Sequence, residues 1–213
     1  MNRTDLANLR RDYAGKELTK AAVDRDPFVQ FSMWLEEALK SEITDANAMT
    51  VATVDPECRP SNRVVLLKGL DERGFVFFTN YESKKGHDLA ANPKVSLGFF
   101  WPQLQRQVIV YGTARKTSSE ESESYFKTRP YQSRIAAWAS QQSSVIGTRA
   151  DLEAAFDEMS ERFGEDVPLP PFWGGYRVSP DRIEFWQGRA NRLHDRLAYA
   201  LIDGTWVIER LSP

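Results

Sequence analysis

The stretch Ala48-Met-Thr-Val-Ala-Thr-Val54, followed by Asp55-Pro-Glu-Cys-Arg-Pro60 and Asn62-Arg-Val-Val-Leu-Leu67, decides the fold. Upstream of it, Phe28, Phe31, Trp34, Leu35 and Leu39 recur at helical spacing. With Pro27 in the first turn they predict a helix over about 27–42 whose apolar stripe faces a core. From Ala48 the period changes. Met49–Val54 reads as a strand, Asp55–Pro60 as a turn and Asn62–Leu67 as a second strand. A link this short favours antiparallel pairing.

Working outward, Asp71-Glu-Arg-Gly74 is a turn and Phe75-Val-Phe-Phe-Thr79 a third strand. Ser83–Ala91 reads as a short helix with Ser83 as its N-cap. Val95–Phe100 and Arg106–Gly112 add two strands. Helices are expected over 118–127, 131–139 and 149–163, the last carrying Leu152, Ala155, Phe156, Met159 and Phe163 on one face. Strands Gly175–Val178 and Arg182–Trp186 and a hairpin over 197–208 close the chain, while residues 4–13 form a polar segment with helical tendency. Helices interrupt the strands without alternating with them, which predicts an α+β fold around a closed or nearly closed antiparallel barrel. No Gly-x-Gly-x-x-Gly follows a strand, which argues against a Rossmann unit.

The 213 residues imply one domain, 1–213, with a mobile N-terminal segment over 1–20. A net charge of −2 excludes a strongly basic nucleic-acid footprint, so any pull on anions must come from local clusters. The single cysteine, Cys58, allows no intrachain disulfide and no Cys-based zinc site. Two histidines, His87 and His194, cannot form a His-rich metal site alone, and no metal is expected. No apolar run approaches the roughly 18 residues that span a bilayer, and no signal segment opens the chain, so cytoplasm is the expected compartment.

Four clusters can carry chemistry. In Arg192-Leu-His-Asp-Arg196, an extended backbone would place Arg192, His194 and Arg196 on one face, near Trp186; such a face suits a planar, partly anionic ligand, although a solvated strand face fits the spacing equally well. Arg63 and Lys68 lie five apart, on opposite faces of a regular strand unless Lys68 falls past its end. Ser83-Lys-Lys85 sets two lysines at a helix start, a candidate phosphate pocket. Tyr125, Arg129 and Ser133 are spaced by four across Pro130, which should break the helix in two, and their convergence would fit a phosphate dianion.

Together these segments resemble the pyridoxamine/pyridoxine 5′-phosphate oxidase family. The matching strings include Leu9-Arg-Arg-Asp-Tyr13, Arg63–Lys68, Phe77-Phe-Thr-Asn80, Tyr125-Phe-Lys-Thr-Arg-Pro130, Gln142-Ser-Ser144, Phe172-Trp-Gly-Gly175 and Glu184–Arg196, in family order over nearly the whole chain. The resemblance implies an FMN-binding split β-barrel with flanking helices, and a homodimer with active sites at the subunit interface. It implies oxidation of pyridoxine or pyridoxamine 5′-phosphate to pyridoxal 5′-phosphate, with O2 as acceptor, in vitamin B6 synthesis. The FMN contacts it implies are Arg63, Val64, Val65, Leu66, Leu67, Lys68, Phe78, Thr79, Lys84, Lys85, Gln107, Gln142, Ser143, Trp186 and Arg196. Substrate contacts are implied at Arg10, Tyr13, Lys68, Tyr125, Arg129, Ser133, Arg192 and His194, with Arg192 and His194 closest to the chemistry. Lys84 stands where the family often has Arg; it keeps the charge and loses the bidentate fork. A flavin- or haem-binding module without oxidase activity, and a split-barrel reductase, are the alternatives.

Overall fold

The computed structural model describes residues 12–213. Among them are nine strands and five α-helices, in the order α1 (Pro27–Leu39), β1 (Ala48–Val54), β2 (Pro60–Leu66), β3 (Gly69–Asp71), β4 (Gly74–Asn80), α2 (Lys84–Ala91), β5 (Lys94–Trp101), β6 (Arg106–Lys116), α3 (Ser119–Thr128), α4 (Tyr131–Ala139), α5 (Arg149–Phe163), β7 (Trp173–Gln187), β8 (Asp195–Ile202) and β9 (Thr205–Leu211). The strand order is β2-β1-β5-β6-β7-β4-β3, with β8 paired to β7 and β9 to β8. The β1–β2, β3–β4, β4–β7, β7–β8 and β8–β9 pairings are all antiparallel. This is the α+β class read from the sequence, and no described helix is long and apolar enough to cross a membrane.

The chain divides into two compact units. One comprises residues 48–97 and 111–180, the other residues up to 47, 98–110 and 181–213. In the first unit, Ala48 pairs with Leu66 and Val54 with Pro60, so the turn expected over 55–60 closes a hairpin. Asp55 makes that turn: its carboxylate accepts from the backbone N–H of Glu57 and of Arg59, and Cys58 takes a left-handed φ of 61°. Period-two alternation buries Met49, Val51 and Thr53. α2 begins where the sequence places it, with the Ser83 hydroxyl accepting from Gly86 N–H.

In the second unit, Asp26 caps α1 by accepting from Phe28 N–H, and Pro27 occupies the first turn. The helix buries Phe31 and Trp34 as expected, but Leu39 is exposed because the helix stops there and frays into a turn. Phe31 packs on Phe99 and Trp101, and Trp34 meets Phe185 edge-on at 5.2 Å. Burying each such ring contributes about 1.5–3 kcal/mol. The near-buried Arg106 lies over the Trp34 ring at 4.3 Å and donates to Glu37 and Gln187.

The sequence and the structure differ further: the sequence pattern does not predict the short strand β3. The strands expected over 175–178 and 182–186 form one continuous β7, which pairs with β4 up to Val178 and with β8 from Arg182, so that Pro180 falls between those two ladders. The extended backbone supposed for Arg192–Arg196 is not found: Ala190–Arg192 is a 3-10 turn, with Asn191 and Arg192 at φ of 57° and 61°, and β8 starts only at Asp195. Arg192 therefore does not share a strand face with His194 and Arg196.

Gly86 fits because its backbone lies hard against the Tyr81 carbonyl, and a Cβ there would overlap that oxygen. Since the clash is with backbone, Gly86→Ala is expected to lower unfolding stability by about 2–3 kcal/mol. Urea denaturation checks this; a change below about 0.5 kcal/mol, the range of an ordinary surface substitution, would contradict it.

Candidate functional site

In the unit of residues 48–97 and 111–180, a cavity of about 660 Å³ opens beside β2. That volume suits a small organic ligand. Its lining includes Arg63, Val64, Val65, Leu66, Lys68, Phe78, Thr79, Lys84, Lys85, Tyr125, Arg129, Gln142 and Ser143. The hairpin supplies the first group, β4 the aromatic floor, the start of α2 the two lysines, and the α3–α4 junction Tyr125 and Arg129. Arg63 and Lys68 reach the same cavity because β2 ends at Leu66 and Lys68 lies beyond it.

Positive charge dominates: Arg63 and Lys84 face carboxylates, while Lys85 and Arg129 have none beside them among the described residues. The Lys85 side chain is buried and donates to Thr79 Oγ1 at 2.8 Å, Ser83 Oγ at 3.0 Å and Gln142 Oε1 at 2.7 Å, all neutral acceptors. Burial, and secondarily the neighbouring Arg63 charge, pull its pKa down to about 8. Arg63 is held in place by the Val51 carbonyl and by Thr53 and Ser61, with the Asp88 carboxylate 3.9 Å away. Asp88 also accepts from Thr53 at 2.6 Å and from Lys84 at 3.1 Å. Burial alone would raise its pKa, but these hydrogen bonds outweigh it and hold the group ionised.

Arg129 ends α3, and the following Pro130 breaks the helix as the sequence implied. Burial lowers its pKa, with the nearby Tyr125 acting in the opposite sense. Its Nη1 is buried without a hydrogen-bond partner. Phe78, Tyr125 and Trp173 form a near-parallel stack, Phe78 to Tyr125 at 3.9 Å. A set of desolvated cations beside flat rings can hold an anionic, partly planar molecule.

The other expected residues lie elsewhere. Tyr13, Trp186 and His194 make a second cluster, with Trp186 and His194 ring centroids 4.7 Å apart and Tyr13 edge-on to both. Arg189 N–H donates to His194 Nδ1 at 3.1 Å, which fixes the ring orientation. Arg192 is exposed. Arg196 is paired bidentately with Glu184 at 2.8 and 3.1 Å. Leu67 is buried without lining the cavity, Ser133 sits half-buried on α4 outside its lining, and Gln107 lies on β6. Arg10 falls outside the described residues. Sequence reasoning missed Trp173 and Asn80 in the lining and Asp88 behind it; Asp88 was legible as the i+4 partner of Lys84.

A model of the family described as pyridoxamine 5′-phosphate oxidase matches residues 35–163, and one described as the pyridoxine 5′-phosphate oxidase C-terminal dimerisation region matches 173–213. The chain belongs to the pyridoxamine 5′-phosphate oxidase family. A pyridoxine/pyridoxamine 5′-phosphate oxidase of Burkholderia lata is 57% identical over 213 residues, covering 99% of this chain and 100% of that protein. A Burkholderia multivorans protein of the same name is also 57% identical, with the same coverage. Among solved structures, PhzG from Burkholderia lata 383, in complex with tetrahydrophenazine-1-carboxylic acid, superimposes with a TM-score of 0.88 at 28% identity, covering 93% of this chain and 99% of PhzG. A pyridoxamine 5′-phosphate oxidase-related, FMN-binding protein of Nostoc punctiforme gives 0.72 at 18% identity, covering 90% and 100%, a likeness of fold. These neighbours make the fold the split barrel of this oxidase family.

The lowered Lys85 pKa has a sign that can be tested. Between pH 8 and the ordinary lysine value, the unfolded chain holds a proton that the folded chain has released, so this group makes stability rise with pH across that window. An anion in the cavity stabilises the ammonium and so binds best below pH 8. Sulfate, a dianion throughout, is expected to raise the melting temperature of the cofactor-free protein more at pH 7 than at pH 9.5. Lys85→Met should abolish the difference. Equal shifts at both pH values in the unmodified protein would contradict the assignment.

Proposed function

We propose that this protein is a pyridoxine/pyridoxamine 5′-phosphate oxidase with FMN as cofactor. The observation that carries the reading is the pairing, in one cavity, of two separate cations without a carboxylate partner: Lys85, flanked by Arg63 and Lys84, at one end, and Arg129 at the other. A phosphorylated cofactor and a phosphorylated substrate require such a pair. The residues fit FMN: a buried lysine with only neutral acceptors, an adjacent guanidinium and the N-terminus of α2 suit its phosphate. The hairpin residues Val64, Val65 and Leu66, with Phe78, Thr79, Gln142 and Ser143, are assigned to the rest of the cofactor; Leu67, Gln107, Trp186 and Arg196 are assigned to it by family resemblance.

FMN, when bound, supplies a two-electron acceptor that is returned to its oxidised form by O2. Pyridoxine 5′-phosphate and O2 then give pyridoxal 5′-phosphate and H2O2; the amine, with water, releases ammonia as well. The chain supplies binding and orientation. Lys68, Tyr125 and Arg129, joined by Ser133 on family resemblance alone, anchor the substrate phosphate, which fixes the ring and removes most of its translational freedom. Arg192 and His194 act near the pyridine ring, and Arg10 and Tyr13 belong to the segment that covers it. With Nδ1 taken by Arg189 N–H, His194 is assigned to meet a ring substituent through Nε2. The match to a C-terminal dimerisation region supports a homodimer; the active sites are assigned to its interface by family resemblance. Cytoplasm is the proposed compartment.

A second reading is favoured by one specific observation: the likeness to PhzG, whose bound molecule is a phenazine carboxylic acid. Burkholderia lata has both proteins, and this chain is 57% identical to its oxidase and 28% to its PhzG. That contrast, with the phosphate-type site at Arg129, favours the B6 phosphates.

Arg129→Ala is expected to raise KM for pyridoxine 5′-phosphate about 30-fold or more, the scale of one charge-assisted contact to a phosphate. Flavin content should stay unchanged. Peroxide assays on the purified variant check this; an unchanged KM in a flavin-loaded variant would sink the phosphate anchor.

A further inference from the structure

Arg129 is half-buried with no carboxylate beside it among the described residues, and its Nη1 is buried and makes no hydrogen bond. Side chains in that state normally acquire a counterion or move to solvent. Two ring faces hold it instead. Its guanidinium carbon lies 4.6 Å from the centre of the Trp173 ring and 5.5 Å from that of Phe126. Of the two, Trp173 is the nearer, lines the cavity, and offers the most favourable ring for a cation.

Trp173 is itself fixed from several directions. It opens β7, pairs with Asn80 of β4, and donates its backbone N–H to the Pro170 carbonyl at 3.1 Å. Its ring lies within 12° of parallel to Phe78 and 3° to Tyr125, and meets Phe126 at 5.2 Å. Only 8% of the residue is exposed. An aromatic face and a carboxylate differ in what they leave behind. A carboxylate would hold the guanidinium by neutralising it and occupying its in-plane N–H groups. A ring holds it from above, keeps the full charge, and leaves the N–H fork free to meet an anion edge-on.

We propose that Trp173 is the positioning residue for phosphate recognition: it seats Arg129 by a cation–π contact in place of an ion pair, so that the guanidinium stays charged and unsatisfied until a substrate phosphate arrives. This rests on the proposed role of Arg129 in holding the substrate phosphate, and it predicts coupling between the two residues that mere packing would not produce.

The test is a double-mutant cycle on the flavin-loaded enzyme. Trp173→Leu is expected to raise KM for pyridoxine 5′-phosphate about tenfold, equivalent to about 1.4 kcal/mol, with kcat changed less than about twofold. Trp173→Phe, which keeps a ring face, should raise it about threefold. In an Arg129→Ala background neither substitution should raise KM further. If Trp173→Leu does not fold, the Phe variant carries the cycle alone. Calorimetric titration of the same flavin-loaded variants with sulfate reads the coupling without turnover. If the unmodified enzyme fails to oxidise the substrate while sulfate binding still shows the coupling, the proposed function fails and the Trp173 inference stands. An unchanged KM and sulfate affinity in both variants, or equal losses with and without Arg129, would overturn it.

Discussion

The site depends on positive charge that the protein buries and does not neutralise. Lys85 is surrounded by hydroxyl and amide oxygens, and Arg129 by ring faces. Folding must desolvate both groups with no compensating carboxylate, and the depressed Lys85 pKa records that penalty. The surrounding framework makes it tolerable. The Asp55 turn and the β1–β2 register place Arg63 against Thr53 and Ser61, and the carboxylates close to the cluster, Asp88 and Asp55, face Arg63 and Lys84. The cost returns as affinity when an anion fills the cavity.

Much of this was legible in the residues. The change of period at Ala48, the Asp55–Pro60 turn and the Ser83 cap read correctly because each rests on local chemistry: alternation, an Asx-type turn and a hydroxyl at a helix start. The break at Pro130 follows from proline's missing N–H, and it turns Tyr125 and Arg129 toward one space. Those signals need no knowledge of distant neighbours.

What was not legible depends on contacts far apart in sequence or on backbone angles that side-chain types do not encode. Asn191 and Arg192 take left-handed conformations without glycine, so the assumption of an extended Arg192–Arg196 had no local warning against it. Arg196 finds Glu184 across the β7–β8 pairing, which converts an apparently free cation into an ion pair. Trp173 sits 44 positions after Arg129 in sequence, and only the fold brings its ring beneath that guanidinium. The motif that looked most informative as a string, Trp186 to Arg196, divides in space: Trp186 and His194 pack with Tyr13, while Arg192 is exposed and Arg196 is engaged.

The central claim is that the cavity holds a flavin and a phosphorylated B6 compound together. The most direct measurement is the visible absorption spectrum of the purified, FMN-reconstituted protein under nitrogen during titration with pyridoxine 5′-phosphate. The account predicts that the band near the blue end of the visible range bleaches with one equivalent of substrate per flavin and returns on admission of air. A protein that takes up no FMN, or whose bound flavin keeps its full absorbance at saturating substrate, would contradict it.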